Sequence, residues 1–133
     1  MTGRQRVVAC VASRGSALLV CQRPPHKRHG GLWEFPGGKT KPGESDRDAA
    51  ARELREELGV TLTDASSPIY EVDDPGSPFT IAFVPVQLDG EPACLEHSQL
   101  LWDAPSALAR LPLAPSDQAF VRFLLEDLRM NDA

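Results

Sequence analysis

The sequence lacks the excess of basic residues that is typical of proteins that bind nucleic-acid polymers. Its 14 lysines and arginines are outnumbered by 19 aspartates and glutamates, and the formal net charge is −5. Proteins that bind such polymers usually carry a basic stripe, so we expect no nucleic-acid partner. A nucleotide ligand remains compatible with the acidic composition, because a bound divalent cation can neutralise both carboxylates and phosphates.

The sequence also has few cysteines and no long apolar run. Cys10, Cys21 and Cys94 form an odd set without CxxC spacing. This argues against a disulfide framework or a zinc site and favours thiols in a reducing compartment. The apolar run Val7–Ala12 is too short for a signal peptide, and no run is long enough to span a membrane. We therefore expect a cytoplasmic protein without a membrane partner.

A complete P-loop is missing as well. Gly38-Lys39-Thr40 looks like the end of this phosphate-binding motif. The pattern G-x-x-x-x-G-K-[ST], however, requires glycine where the sequence has Trp33. Phosphate chemistry in this protein would need a different arrangement.

What is present is an alternation of strand and helix patterns over 133 residues, which predicts one domain spanning 1–133. Strands are predicted over Val7–Ala12, Ala17–Gln22, Leu32–Phe35, Phe79–Leu88 and Leu100–Asp103. The first two form a hairpin, and Pro85 implies an edge position or a bulge in the fourth. Lys39–Glu44 is predicted as a loop, and the segment between Leu58 and Phe79 as a polar linker.

Three helices are predicted. The first is capped by Ser45 and runs to Leu58, where Gly59 ends it. A short helix covers Pro105–Leu111. Ser116 is predicted to cap the last helix, whose apolar face contains Phe120, Val121, Leu124, Leu125 and Leu128. This order of elements predicts an α+β fold, a mixed sheet with helices packed on it.

The first helix separates apolar from acidic side chains. One side carries Ala50, Leu54 and Leu58, and a sector of about 100° on another side carries Glu53, Glu56 and Glu57. Like charges at these spacings repel each other and destabilise a helix. Clustered carboxylates suit hard cations such as Mg²⁺ or Mn²⁺. The alternative is a solvated acidic face partly neutralised by Arg52 and Arg55.

The surroundings of this helix favour the metal interpretation. The turn Pro36–Gly38 lets the backbone approach a ligand closely. Positive charge for phosphate is available from Arg23, Lys27, Arg28, Lys39 and Lys41. A cation-binding helix beside a glycine turn and basic side chains could hydrolyse phosphoanhydrides, because that chemistry depends mainly on positioning and charge neutralisation.

At these positions the sequence resembles the Nudix hydrolases. Their signature, G-x5-E-x7-R-E-U-x-E-E-x-G-U with U apolar, is matched without a gap by Gly38, Glu44, Arg52-Glu53-Leu54, Glu56-Glu57 and Gly59-Val60. The sequence is most similar to the MutT-like branch, through Leu19–Pro24, Gly31–Gly38, Glu96-His97, Trp102 and Pro112–Asp117. The similarity is weakest over Thr61–Pro78 and the last few residues. It implies the Nudix fold, a mixed β-sheet packed between helices as an α/β/α sandwich.

The resemblance also implies roles for single residues. The metal ligands would be the Gly37 carbonyl, Glu53, Glu56, Glu57 and Glu96. Glu53 or Glu96 would also help to deprotonate the attacking water. Arg52 would orient the glutamates by ion pairing, and Glu44 would support the loop and helix. For Glu96, a solvated loop residue is the alternative.

Substrate contacts are implied in the same way. Arg23 and Lys39 would contact phosphates beside Gly38, Asp117 would read the edge of the base, and Phe79 or Trp33 could flank it. The alternatives are exposed charges for Arg23 and Lys39, a helix-terminal role for Asp117, and core positions for the two aromatic residues. His97 is predicted to be structural or exposed, and His26 and His29 to be solvated.

The function implied is hydrolysis of a nucleoside triphosphate at the β-phosphorus, giving a nucleoside monophosphate and pyrophosphate. Mg²⁺, or Mn²⁺ in its place, would lower the pKa of the attacking water. We expect sanitation of oxidised nucleotides such as 8-oxo-dGTP, by a monomer or homodimer. CTP, dCTP or 5-methyl-dCTP are alternatives, as are ADP-ribose, dinucleoside polyphosphates and a non-catalytic nucleotide-binding module.

Overall fold

A computed structural model describes residues 3–131 of the chain. Within this range the strands are β1 (Gln5–Arg14), β2 (Ala17–Gln22), β3 (Trp33–Glu34), β4 (Gly37–Lys39), β5 (Thr61–Ala65), β6 (Tyr70–Asp73), β7 (Phe79–Asp89) and β8 (Gln99–Asp103). The helices are α1 (Asp46–Leu58), α2 (Pro105–Leu108) and α3 (Pro115–Asn131). No helix in the described residues is both long and apolar enough to cross a membrane.

The strands form one mixed sheet around β1 and β7. The order along its main path is β3-β2-β1-β7-β5, with β4 also paired to β1, β6 to β7 and β8 to β2. β1 and β7 are parallel, whereas the other pairs are antiparallel. Val7–Ala9 of β1 pair with β4, which contains the glycines of the turn. This pairing places the glycine turn at the middle of the sheet.

Alternation along β1 divides the core between the two faces of the sheet. Val8, Cys10 and Ala12 face the cluster that contains Ala49, Ala50, Leu54 and Leu58 of α1. Ala9 and Val11 belong to the other cluster, with Leu108 of α2 and Phe120 and Val121 of α3. Full burial of a leucine or phenylalanine side chain contributes about 1.5–3 kcal/mol. The predicted sandwich, and the apolar side predicted for α1, are therefore confirmed.

The ends of α1 follow the sequence prediction. The Ser45 side chain accepts a hydrogen bond from the backbone N–H of Asp48 at 3.1 Å. At the other end Gly59 has φ 68°, a left-handed conformation in which its N–H donates to the carbonyl of Arg55. These two caps fix which residues are helical, and so which glutamates share a face.

The prediction of a polar linker between Leu58 and Phe79 is wrong. The segment contains β5 and β6, both antiparallel to β7. β5 has an irregular register between Leu62 and Asp64, and most of its side chains are exposed, so it lacks a clear alternating pattern. Pairing with a long central strand overrides such weak local signals.

Pro85 does not lie on an edge strand, and the irregular register lies in β5 and not at Pro85. β7 has β1 on one side and β5 and β6 on the other. Pro85 is at the junction of these two partners, where its carbonyl accepts from Ser66 and that of the nearby Phe83 accepts from Ile69. A residue without an N–H is tolerated there because the pairing partner changes at this point.

Five smaller predictions also need correction. Leu32–Phe35 contributes only Trp33–Glu34 to a strand, and Gly37–Lys39, placed at the end of that strand and the start of a loop, forms β4. The short helix ends at Leu108. α3 begins at Pro115, where the Ala114 carbonyl accepts from Gln118, so Ser116 is inside the helix and is not its cap. Leu128 is 49% exposed, because it lies beyond the part of α3 that packs on the sheet.

Candidate active site

The acidic side of α1 lies against the glycines of β4. Glu57 is only 5% exposed, and its Oε1 accepts a hydrogen bond from the Gly37 N–H at 3.4 Å. The Glu53 carboxylate is next to Gly38, where a Cβ atom would lie 2.6 Å from its carboxyl carbon and Oε1. The predicted proximity of the glutamates to the glycine turn is thus present in the structure.

Both glycines are required by this packing. Gly37 has φ 152°, and a Cβ there would collide with the carbonyl of Val8 on β1. At Gly38 the obstacle is the Glu53 carboxylate described above. Glycine therefore allows β4 to fit between β1 and the glutamates of α1.

Arg52 holds two carboxylates at once. Its Nε and Nη2 donate to the two oxygens of Glu44, each at 2.9 Å, and Nη1 donates to Glu53 Oε1 at 2.8 Å. Nη2 also donates to the carbonyl of Lys39, at 3.0 Å. The paired guanidinium lowers the pKa of Glu44 to about 2. Arg52 thereby ties the loop before α1 to Glu53, as its predicted orienting role requires.

Glu56 is more loosely held. Its side chain is 51% exposed, and its Oε2 is 3.7 Å from Arg52 Nη1. The acidic face is therefore graded: Glu57 is buried, Glu53 is largely enclosed and Glu56 is open to solvent.

A second group of polar residues meets Glu57 from the opposite side. Glu34 accepts hydrogen bonds from Arg23 Nη1 at 3.0 and 3.3 Å, and its Oε2 is 3.0 Å from His97 Nε2. The same His97 nitrogen is 3.8 Å from Glu57 Oε1. The His97 side chain is 6% exposed, so the predicted structural role fits better than an exposed one.

Sequence reasoning missed Glu34 as a site residue. Leu32–Phe35 predicts a short strand, and a strand pattern does not reveal that Glu34 forms an ion pair with Arg23. An acidic residue in a strand of otherwise apolar residues, close to a glycine turn, is the signal that could have identified it.

Glu57 and the polar residues around it line a small cavity of about 110 Å³. The lining residues are Arg23, Pro24, Lys27, Glu34, Gly37, Glu57, Glu96 and His97. Glu96 lies in an exposed loop on its wall. Burial and the neighbouring Glu53 and Glu34 carboxylates raise the pKa of Glu57. The wall of this cavity thus brings a buried carboxyl close to two further carboxylates.

The donor set fits a divalent cation in its chemistry. Carboxylate and carbonyl oxygens are the ligands that hard cations prefer. A cation would also relieve the charge that burial concentrates around Glu57. Within residues 3–131, however, no three histidine, cysteine, aspartate or glutamate side chains lie close enough together to form a preassembled metal site. Glu53, instead, is paired with Arg52.

A larger cavity of about 410 Å³ adjoins the small one, and the two share Arg23, Glu34 and Gly37. The larger cavity combines apolar walls, including Phe35, Phe79, Ile81 and Ala114, with the polar side chains of Asp117, Asp74, Lys39, Arg28 and His29. Its volume and mixed lining suit a heterocycle with a few polar edge groups.

Asp117 lies at the inner wall of the larger cavity. It is 7% exposed, and its Oδ1 accepts a hydrogen bond from the Phe35 N–H at 2.9 Å. Burial raises its pKa to about 8, opposed in part by that hydrogen bond. At neutral pH the carboxyl therefore retains its proton and can donate as well as accept.

The other predicted substrate residues occupy mixed positions. Lys39 is exposed on the rim of the large cavity, with Nζ 5.0 Å from the centre of the Phe79 ring. Phe79 itself lines that cavity. Trp33 does not, because it is buried in the core between the sheet and α3. His26 and His29 are exposed, as predicted, although His29 also borders the cavity.

Comparison with known proteins places this site in a family. The model of the NUDIX domain matches residues 3–124. The CTP pyrophosphohydrolase of Escherichia coli is 40% identical over 114 residues, 84% of each chain. A putative 8-oxo-dGTP diphosphatase 2 of Mycobacterium tuberculosis is 36% identical over 132 residues, which are 97% of this chain and 94% of the relative.

Solved structures agree with this placement. The solution structure of the E. coli ORF135 protein has a TM-score of 0.79 at 34% identity, covering 94% of this chain and 91% of the other. A structure from work on MutT of Aliivibrio salmonicida and Vibrio cholerae has a TM-score of 0.79 at 33% identity, covering 93% and 98%. The predicted fold and family are confirmed: the chain belongs to the Nudix hydrolase family.

Proposed function

We propose that the protein is a Mg²⁺-dependent pyrophosphohydrolase that converts a free nucleoside triphosphate to a nucleoside monophosphate and pyrophosphate. The observation that carries this proposal is the continuous groove. A cavity lined by carboxylates adjoins a larger, partly apolar cavity, and Arg23, Glu34 and Gly37 belong to both. A nucleotide has the same division, with phosphates at one end and a flat heterocycle at the other.

The phosphates would lie over the small cavity. Glu53, Glu56, Glu57, Glu96 and the Gly37 carbonyl would hold the divalent cation. When bound, the cation would neutralise phosphate charge and lower the pKa of a water molecule. Members of this family generally use divalent cations. The specific part of this proposal is the choice of Mg²⁺ over Mn²⁺.

The chain's own residues would position and deprotonate the attacking water. Arg52 keeps the Glu53 carboxylate beside Gly38, where it could accept a proton from water directed at the β-phosphorus. Glu96 is the other candidate base, since it lies on the wall of the same cavity. Arg23, Lys27 and Lys39 border the groove and would stabilise negative charge on the phosphates.

The base would lie in the large cavity, with its edge towards Asp117. Because the pKa of Asp117 is raised to about 8, its free oxygen would donate a hydrogen bond at neutral pH. The 6-oxygen of a guanine-type base accepts a hydrogen bond, and oxidation at C8 turns N7 into an N–H donor. A carboxyl that can donate and accept therefore suits an oxidised guanine nucleotide such as 8-oxo-dGTP. That is the activity named for the Mycobacterium tuberculosis relative.

A cytosine nucleotide is the second candidate, favoured by the 40% identity to the Escherichia coli CTP pyrophosphohydrolase. If a bound base lowers the pKa of Asp117, the ionised carboxylate would accept from the exocyclic amine of cytosine. ADP-ribose and dinucleoside polyphosphates have no comparable support. The groove lies within one chain, which suits action by a monomer on nucleotides of the cytoplasmic pool.

A panel of about twenty oxidised and normal nucleotides, ranked by kcat/KM with Mg²⁺ and then Mn²⁺, tests the proposal. Released pyrophosphate is converted to phosphate by added pyrophosphatase and measured. We expect 8-oxo-dGTP or a cytosine nucleotide to rank first and chelator to abolish turnover. Binding of nucleotides without turnover of any of them would contradict the proposal and indicate a non-catalytic binding module.

A further inference from the structure

The turn between β6 and β7 is fastened to the first turn of α3 by a single carboxylate. Ser116, which is 1% exposed, donates through its hydroxyl to Asp74 Oδ1 at 2.6 Å. The Ser77 hydroxyl donates to Asp74 Oδ2 at 2.8 Å. Since both oxygens of Asp74 accept hydrogen bonds from protein, this residue is suited to holding the turn in place and less suited to reading a base.

The same turn determines where Phe79 lies. The Asp74 N–H donates to the Phe79 carbonyl at 2.8 Å, and the Phe79 N–H donates to Ser77 Oγ at 3.2 Å. Phe79 is on the wall of the large cavity, with Lys39 over its ring. A shift of Asp74 would therefore move one wall of that cavity.

The opposite end of the link leads to Asp117. This residue follows Ser116 in the first turn of α3, and its Oδ1 accepts from the Phe35 N–H. The hydrogen bond between Asp74 and Ser116 thus joins the wall that contains Phe79 to the wall that contains Asp117. We call this hydrogen bond the Asp74–Ser116 clamp.

We propose that Asp74 is a specificity-determining positioning residue, which sets the width of the large cavity through the Asp74–Ser116 clamp. The inference rests on the proposed function only in taking this cavity as the base pocket. Without the clamp, the Phe79 wall and the Asp117 wall would move independently and hold the base less tightly. Contacts of the phosphates to the small cavity, on the other side of Glu34, would be unaffected.

The β6–β7 hairpin has a separate attachment on its outer side, so we expect it to stay folded when the clamp is removed. Arg4 donates to the carbonyls of Ser77 and Phe79 at 2.9 and 2.7 Å. Thr80 donates to Asp73 Oδ1 at 2.7 Å. Thr80→Val is therefore a matched control, because it removes a hydroxyl from the same hairpin at a position away from the cavity.

The test measures binding, so that it does not depend on turnover. Dissociation constants with Mg²⁺ are determined by calorimetry for hydrolysis-resistant analogues of dCTP, dGTP and 8-oxo-dGTP, and for base-free 2-deoxyribose 5-triphosphate. The proteins are wild type, Asp74→Ala, Ser116→Ala, the double variant and Thr80→Val. Thermal unfolding identifies any variant that fails to fold, in which case the other single variant still breaks the clamp.

For the best-bound analogue we expect each single variant to raise the dissociation constant about fivefold to tenfold, the scale of the net contribution of one intramolecular hydrogen bond. The base-free triphosphate should change by less than about twofold. The double variant should match Asp74→Ala, because that change already removes the bond that Ser116→Ala removes. Thr80→Val should bind like wild type.

Equal weakening of the analogues and the base-free triphosphate would overturn the inference, as would unchanged binding or fully additive effects. The proposed function is judged separately, by hydrolysis of the natural nucleotides by the wild type. If the protein hydrolyses no nucleotide but shows the expected binding pattern, the inference about the clamp stands and the proposed function is wrong.

Discussion

The two cavities that meet at Glu34 are built in different ways. The small cavity takes Gly37 and Glu57 from β4 and α1, within one continuous stretch of chain, and adds Arg23, Glu96 and neighbouring residues. The large cavity draws on β1, the loop after β2, the turn before β7 and the start of α3. The β4–α1 part of the phosphate end is thus local, whereas the base end is assembled from distant segments, so chemistry and base preference should respond to different substitutions.

The largest expected effect is at the phosphate end. Glu53→Gln should reduce kcat by roughly 10²–10⁴, the scale for a positioned acid–base group, while nucleotide ranking stays the same. Steady-state kinetics across the nucleotide panel measures both. Glu91→Gln is the control, because Glu91 pairs with Arg14 on the surface. Equal rates for Glu53→Gln and wild type would remove Glu53 from the mechanism.

The same variant also probes the packing of charge on α1. In chelator, Glu53→Gln should melt above the wild type, because it removes a carboxylate that disfavours ionisation of the buried Glu57. Differential scanning fluorimetry would detect the shift. An unchanged or lower melting temperature would weaken the view that these carboxylates are gathered for a cation.

A smaller effect is expected where the two cavities meet. Glu34→Gln removes the charge that holds Arg23 and His97, so we expect KM for nucleotides to rise about tenfold with a smaller change in kcat. Glu71→Gln is a control, because Glu71 pairs with Arg6 away from the groove. A fall in kcat with no change in KM would instead link Glu34 to the chemical step.

At the base end, Asp117 should give the protein a distinct pH dependence. Its carboxyl has a pKa near 3.8 when unperturbed and about 8 in the folded protein. The folded state therefore binds more protons between these values, and its free energy of unfolding declines as pH rises through this window. Asp117→Asn should lose this component of the decline.

Urea unfolding at pH 5 and pH 8 measures that difference. The gap in the free energy of unfolding between the two pH values should be smaller in Asp117→Asn than in wild type. The variant should also change the ratio of kcat/KM between nucleotides with different bases by about tenfold. Its dependence on Mg²⁺ should stay the same. An identical pH gap would show that Asp117 is ionised in the folded protein.

The smallest effect comes from the cap of α1. Ser45→Ala should lower the free energy of unfolding by about 1 kcal/mol, because the Asp48 N–H loses its acceptor. Base ranking should not change, in contrast to Ser116→Ala. Chemical denaturation with Ser106→Ala as the control tests this, since Ser106 is exposed on α2. If Ser45→Ala changed the ranking of nucleotides by base, the phosphate end and the base end would not respond to different substitutions.

Much of the phosphate end could be predicted from sequence because its signals are local. Helical periodicity and the caps at Ser45 and Gly59 put Glu53 and Glu57 on the face that meets the glycine turn. Glu34 and the clamp could not be found this way. Their partners are distant in sequence: Glu34 meets His97, and Ser116 meets Asp74. A serine near a helix start predicts a cap on local grounds, whereas its hydroxyl serves a contact that only the tertiary structure creates.

The fit of Gly38 against Glu53 has a consequence for protein engineering. A methyl group at position 38 would have to displace the carboxylate, so Gly38→Ala alone should inactivate the protein even if it folds. Shortening the acidic side chain in the same gene, as Glu53→Asp, would restore room but withdraw the oxygens from their place. Neither the single change nor this pair of changes should therefore give an active protein, so Gly38 and Glu53 constrain each other.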